Sequence, residues 1–249
     1  MAAERYSVLP GAEPFYFKGN EIGVLVSHGF TGTTQSMRFI GERLAEAGFT
    51  VYGPRLKGHG THYEDMEAST YAEWVASVEE GYEKLKQECK RVFVLGLSMG
   101  GTLTLYLASK YPDISGIVPV NAAIEITAME PLEGASEPRY LDAIGSDIKQ
   151  AGVVELAYEK TPVKSVGEIL QLMRLTKERL PLIQCPALIM VSTEDHVVPP
   201  DNSRLILESI SSAEKEILQL ENSYHVATLD QDKELIAERA ISFIQAHCK

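Results

Sequence analysis

Gly96-Leu97-Ser98-Met99-Gly100 lies between the apolar run Val92 to Leu95 and the segment Thr102 to Lys110. The run reads as a short buried strand, Gly96 to Gly101 as a glycine-rich turn, and Thr102 to Lys110 as a helix. Glycines on either side of a serine let the chain turn sharply enough to force that serine into a strained conformation, where a side chain on either neighbour would strike backbone. Ser98 is thereby set above the edge of a sheet, with the N–H groups of the following helix pointing at the same spot.

The same rhythm extends on both sides. Upstream, Ile22 to Ser27 is apolar and β-branched and runs into the loop His28-Gly29-Phe30-Thr31-Gly32. A helix follows, with Thr34 as its expected N-cap, Met37, Ile40 and Leu44 at three- and four-residue steps, and Gly48 at its end. Phe49 to Gly53 reads as a strand and Pro54 to His62 as a turn-rich segment. Tyr71 to Glu88 places Tyr71, Trp74, Val75, Val78, Tyr82 and Leu85 on one helical face. Downstream, Ile114 to Val120 is a further strand. The rhythm then stops from Asn121 to about Pro181, a stretch of prolines, glycines and amphipathic pieces such as Arg139 to Ile148 and Val166 to Leu180. It resumes with a strand at Ala187 to Ser192, a helix near Asn202 to Ile210, a strand near Glu216 to Leu220 and a helix near Lys233 to His247. Alternating strands and helices imply an α/β fold: a mostly parallel sheet with helices on both faces. We expect one domain over 1–249 with an inserted cap at about 121–181.

Composition bounds the chemistry. The 249 residues are 45% hydrophobic, enough for one substantial core. A formal charge of −12 repels phosphates, which argues against a nucleic-acid partner. No apolar run reaches membrane-span or signal-core length, so stable membrane insertion is not expected and a cytoplasmic location is. Cys89, Cys185 and Cys248 are widely spaced with no C-x-x-C, which suits free thiols, and the histidines fall in no metal-binding pattern. Neither a metal nor a cofactor is expected.

A serine hydroxyl is a weak nucleophile at neutral pH, so Ser98 needs a histidine to take its proton and a carboxylate to orient that histidine. His225, in Asn222-Ser223-Tyr224-His225, follows the strand near Glu216 to Leu220 and is placed for the task. Asp195 follows the strand Ala187 to Ser192, with Glu194 and Asp201 as rivals. Two backbone N–H groups must face the developing oxyanion, and Met99 and Phe30 are the expected donors. His59 sits between two glycines and is expected to bond loop backbone.

His28-Gly29-Phe30-Thr31-Gly32, Gly58-His59-Gly60, the turn at Ser98, Asp195 and His225 together resemble the α/β-hydrolase family, and within it the bacillar carboxylesterases and monoacylglycerol lipases. The likeness covers nearly the whole chain, including Pro54 to Met66 and Asn222 to Asp230, and is weakest around Thr127 to Pro138. The resemblance implies a serine esterase with Ser98, Asp195 and His225 as triad, Phe30 and Met99 as oxyanion donors, and a small-molecule ester with an acyl chain as substrate. A short-chain carboxylesterase, or a thioesterase or acyltransferase using the same triad, is the alternative activity. A non-catalytic binder would have no use for the full set. Dehalogenases and epoxide hydrolases need an acidic residue at position 98. Within the cap, Ile124, Ile126, Leu141, Ile144 and Ile148 could line an acyl tunnel or form the cap's own core, and core is the expectation for most. Ile144, beside Gly145, is the expected tunnel contact. Glu155 is a candidate partner for a glycerol headgroup, against the plainer reading of a solvated helix charge.

Overall fold

In the computed structural model, which describes residues 3–248, a seven-stranded sheet organises the chain. In chain order its strands are β1 (Phe15–Phe17), β2 (Ile22–Ser27), β3 (Thr50–Gly53), β4 (Arg91–Leu97), β5 (Gly116–Val120), β8 (Ala187–Ser192) and β9 (Lys215–Leu220). They lie side by side as β1-β3-β2-β4-β5-β8-β9, parallel throughout except for β1, which pairs antiparallel with β3 at the edge. Strand β4 is central, so the turn that follows it sits mid-sheet at the C-terminal edge, where open α/β sheets build their sites.

The strands are apolar on both faces because both faces are covered, and successive residues alternate between two cores. On β4, Val92 and Val94 join one cluster while Phe93, Leu95 and Leu97 join the other. On β8, Ala187 and Ile189 face the first and Leu188 and Met190 the second. Helices α1 (Gln35–Glu46) and α7 (Lys233–Ala246) close the second core through Met37, Ile40, Leu44, Ile236 and Ala240. Helices α3 (Tyr71–Glu88) and α4 (Met99–Lys110) close the first, contributing Trp74, Val78 and Leu85 from α3 and Leu103 and Leu107 from α4. A shorter helix, α2 (Tyr63–Ala68), precedes α3, and α6 (Asp201–Ser209) lies between β8 and β9.

Between β5 and β8 the chain makes a 3-10 turn over Thr127–Leu132, a small antiparallel pair β6 (Tyr140–Asp142) and β7 (Lys160–Pro162), and the helix α5 (Val163–Arg179). Three local expectations need correcting. Helix α4 begins at Met99, immediately after the serine, rather than at Thr102. Its first turn is buried against sheet and neighbouring helices, Met99 through Leu105 all being buried, so it carries no amphipathic stripe to read. Arg139 to Ile148 is not one amphipathic element: its first residues pair as β6 and the rest is loop. Thr34 occupies the position before α1, but its hydroxyl bonds the carbonyl of Glu13, and the N–H of Gln35 turns to Thr33 Oγ1 instead.

Candidate active site

The turn after β4 is a single residue wide. Ser98 has φ 56° and ψ −119°, a conformation that costs a residue with a side chain about 1–3 kcal/mol. Its neighbours explain how the strain is held. A Cβ on Gly96 would lie 2.1 Å from the carbonyl oxygen of Gly100, and one on Gly100 would lie 2.2 Å from the carbonyl oxygen of Ser27. The two glycines thus let β4, β2 and the start of α4 close to backbone contact, and Ser98 has no room to relax. Its N–H donates to Val120 O on β5. The N–H of Met99 heads α4, where the first turn has no intrahelical acceptors. The Met99 side chain is fully buried in the core.

The loop after β2 brings Phe30 to the same cavity. His28, fully buried, accepts from the Leu56 N–H through Nε2, and its ring lies 5.3 Å from that of His59. His59 in turn packs edge-on against Trp74, which meets the Phe30 ring at 5.9 Å. Burial holds the two imidazoles neutral, His28 down to about 3 and His59 down to about 4. His59 Nδ1 lies 3.1 Å from Lys57 O, the loop-bonding role expected of it.

His225 and Asp195 meet. Nδ1 of His225 lies 2.8 Å from Asp195 Oδ2, with both side chains nearly excluded from solvent. The other carboxylate oxygen, Oδ1, accepts from the N–H groups of Val197 and Val198 at 2.9 and 2.8 Å. With Nδ1–H donating to the carboxylate oxygen, Nε2 is left as the free acceptor of the ring. The rivals are elsewhere: Glu194 pairs with Lys149 at the surface, and Asp201 is exposed at the start of α6. The histidine loop is also tied to the sheet. Asn121, at φ 45° just past β5, donates from Nδ2 to His225 O and to Ser192 Oγ and accepts from the Ser192 N–H, while Ser192 Oγ donates to Tyr224 O. Sequence reading passed over Asn121, which gives no local signal beyond its position after a strand.

Ser98 and His225 line one cavity of about 640 Å³ together with Phe30 and Thr31. Its apolar wall comes from the inserted segment and α5, including Ile126, Met129, Leu132, Leu141, Val166 and Ile169. Leu141 and Ile144 face the cavity and Ile126 lines it while packing in the first core, whereas Ile124 packs in the first core and Ile148 against the second, so three of the five join a core as expected. Ile144 is 74% exposed and stands at the rim.

Glu155 does not sit on a helix and is no solvated surface charge. It lies in the cavity wall, and a Cβ on Gly32 would come within 2.5 Å of its Oε1, so the glycine is what admits the carboxylate. Burial pushes its carboxyl up to about 7, against smaller opposing effects of His225 and the Ser36 hydroxyl. The unfolded carboxyl titrates near 4.5 and the folded one near 7, so ionisation costs the folded protein stability increasingly across that window, and fully above it. Glu155→Gln removes the cost. Its melting temperature relative to the parent should climb from pH 4.5 to pH 7 and then level off, as thermal melts across that range would read; a difference independent of pH would mean that Glu155 ionises as if in water.

Known proteins resemble this chain over most of its length. A family model described as serine aminopeptidase S33, of the Hydrolase_4 family, matches residues 20–143 and 146–232. The chain is 61% identical over 247 residues to a thermostable monoacylglycerol lipase of Bacillus sp. (strain H-257), covering 98% of this chain and 99% of that one. It is 30% identical to a carboxylesterase of Bacillus subtilis (strain 168), over 94% of this chain and 96% of the other. A solved structure from work on the metagenome-derived lipolytic enzymes LipS and LipT superposes with a TM-score of 0.94 at 52% identity, covering 97% of this chain and all of that one. The strained serine at the centre of a parallel sheet and these full-length likenesses together place the chain in the Hydrolase_4 family of α/β-hydrolases.

Proposed function

We propose that the protein hydrolyses monoacylglycerols through an acyl-enzyme on Ser98. The observation that carries this reading is the shared cavity, in which a reactive serine, a carboxylate-oriented histidine, a polar wall at Glu155 and a long apolar wall face one space. Full-length likeness to a monoacylglycerol lipase supports it. His225 Nε2 takes the Ser98 proton as Oγ bonds to the ester carbonyl carbon. The N–H groups of Phe30 and Met99 hold the oxyanion, and Asp195 stabilises the imidazolium. On collapse the leaving glycerol oxygen receives that proton and the acyl group stays on Ser98. Water then attacks the acyl carbon as His225 takes its proton, and on collapse the bond to Oγ breaks, that proton returns to Ser98 and the acid leaves. The acyl chain lies along Ile126, Leu141 and Ile169, and the glycerol hydroxyls bond Glu155, with Ile144 touching the chain where it reaches the rim.

The segment 121–181 acts as the cap of a single domain in this reading. A cap over a buried nucleophile admits one chain and excludes three. Fatty acid and glycerol should be released from a monoacylglycerol at least tenfold faster than fatty acid from the matching triacylglycerol, with free acid exceeding methyl ester when methanol is added to the water. Equal rates on the two lipids would sink the cap reading, dominant methyl ester would make the protein an acyltransferase, and cleavage of short aryl esters alone would leave a general carboxylesterase. A cytoplasmic setting fits three free thiols. No helix among the described residues is long and apolar enough to cross a membrane.

A further inference from the structure

The inserted segment reaches the catalytic loops through two aspartates that the reaction itself does not use. Asp147, in the loop between β6 and β7, accepts on Oδ2 from the N–H of His225 at 3.1 Å and from the N–H of His196 at 3.2 Å. Its Oδ1 lies 2.8 Å from His196 Nδ1, and its own carbonyl accepts from the Val226 N–H at 3.0 Å. One residue of the insert therefore holds the histidine loop and the loop that carries Asp195. The bond is returned from the other side. Asp230, completely buried, accepts from the N–H groups of Lys149 and Gln150 in the insert and of Tyr224 and Gln231 in the histidine loop. Asp230 thus gathers backbone donors from both sides of the junction and Asp147 reaches across it to two catalytic loops, and a carboxylate on backbone N–H groups makes stronger bonds than a neutral acceptor would.

We propose that Asp147 is a positioning residue for His225: the segment over the cavity is part of the support of the catalytic base as well as the wall of the substrate site, and Asp230 locks the two together. The inference rests on the reading of His225 as the general base. Between them, Asn121 and Asp147 fix the backbone of His225 at both its carbonyl and its N–H. Loss of the upper tie lets the ring drift on the scale that costs a proton transfer most of its rate, since a misplacement of about 1 Å can cost about a hundredfold.

Asp147→Ala, Asp147→Asn and His225→Ala test this, with each variant's cooperative melt confirming that it is folded. The substrates are a long-chain monoacylglycerol and p-nitrophenyl acetate, whose acyl group is too short to use the apolar wall. Asp147→Ala should lower kcat on both by about ten- to a hundredfold with KM little changed. Asp147→Asn should recover most of the loss, because one amide oxygen can still accept from both backbone N–H groups. Wild-type kcat on the acetate with a raised KM for the long-chain ester alone would make Asp147 a wall residue. An Asn variant as slow as the Ala variant would mean that charge, not placement, is what matters. Either result overturns the proposal. His225→Ala separates the two readings: if it keeps its activity the base assignment itself fails, whereas if it is dead and Asp147→Ala is not, only the support fails.

Discussion

Ser98→Ala is expected to lower kcat on any ester by about a millionfold, the scale seen when the nucleophile of a serine hydrolase triad is removed, leaving only binding and oxyanion stabilisation. With φ at 56° and a glycine on each side packed to carbonyl contact, position 98 is held where the fold, not the residue, dictates. Alanine there meets the same strain as serine and loses only the hydroxyl, so structure persists while chemistry stops. Glycine tolerates that conformation without a Cβ, so Ser98→Gly should be equally inactive yet melt higher than Ser98→Ala by roughly 2–4 °C, the shift of about 1 kcal/mol in a domain of this size. Asp195→Asn should cost about ten-thousandfold, because an amide no longer secures the tautomer that frees Nε2. The two measurements bear on different claims. Ester turnover surviving in Ser98→Ala would remove the serine from the mechanism, and an alanine variant melting above the glycine one would show that the turn is not strained.

Much of this architecture was legible in the sequence, and the parts that were not share a physical cause. The parallel strands could be read because strands covered on both faces are continuous apolar runs, and Val92 to Leu95 of β4 and Ala187 to Met190 of β8 alternate between two cores without a polar position. Ser98, Asp195 and His225 were reachable because each follows a strand at the same end of the sheet, so chain order becomes spatial convergence. Helix α4 lost its first turn in the reading because nine of its residues are buried and no polar face marks its start. Strand β1 has three residues and exists only because β3 offers it an edge. Glu155 looked like a solvated charge because nothing local tells that a loop will fold over Gly32, more than a hundred positions away in sequence. Asp147 and Asp230 were invisible for the same reason. An aspartate in a loop is ordinarily solvated, and their role depends on backbone N–H groups contributed by segments that meet only in the folded chain. Local pattern therefore gives the elements that carry the reactive groups, while the groups that aim them are set by tertiary contact.

The acyl wall makes a prediction as large as the loss of the nucleophile. Each methylene removed from water gains about 0.8 kcal/mol, close to fourfold in binding, so lengthening a monoacylglycerol chain by four carbons should raise kcat/KM by about two orders of magnitude while the chain is still inside. The cavity of about 640 Å³ lies within the range of about 300–1,000 Å³ of sites that bury most of a small ligand, so the climb is finite. It should flatten once the tail reaches the rim, where Ile144 and Val154 are 74% and 70% exposed and a further methylene stays half in water. Because the chain lies against the same wall in ground state and transition state, the gain should appear in KM more than in kcat. Leu141→Asp, which puts a charge on that wall from β6, should lower the long-chain value steeply and leave acetate esters nearly unchanged. A flat profile from four carbons to twelve would mean that the apolar wall does not receive the acyl group. Ser98 would then serve an ester whose bulk lies elsewhere, since the serine is set by the sheet and the apolar wall by the insert.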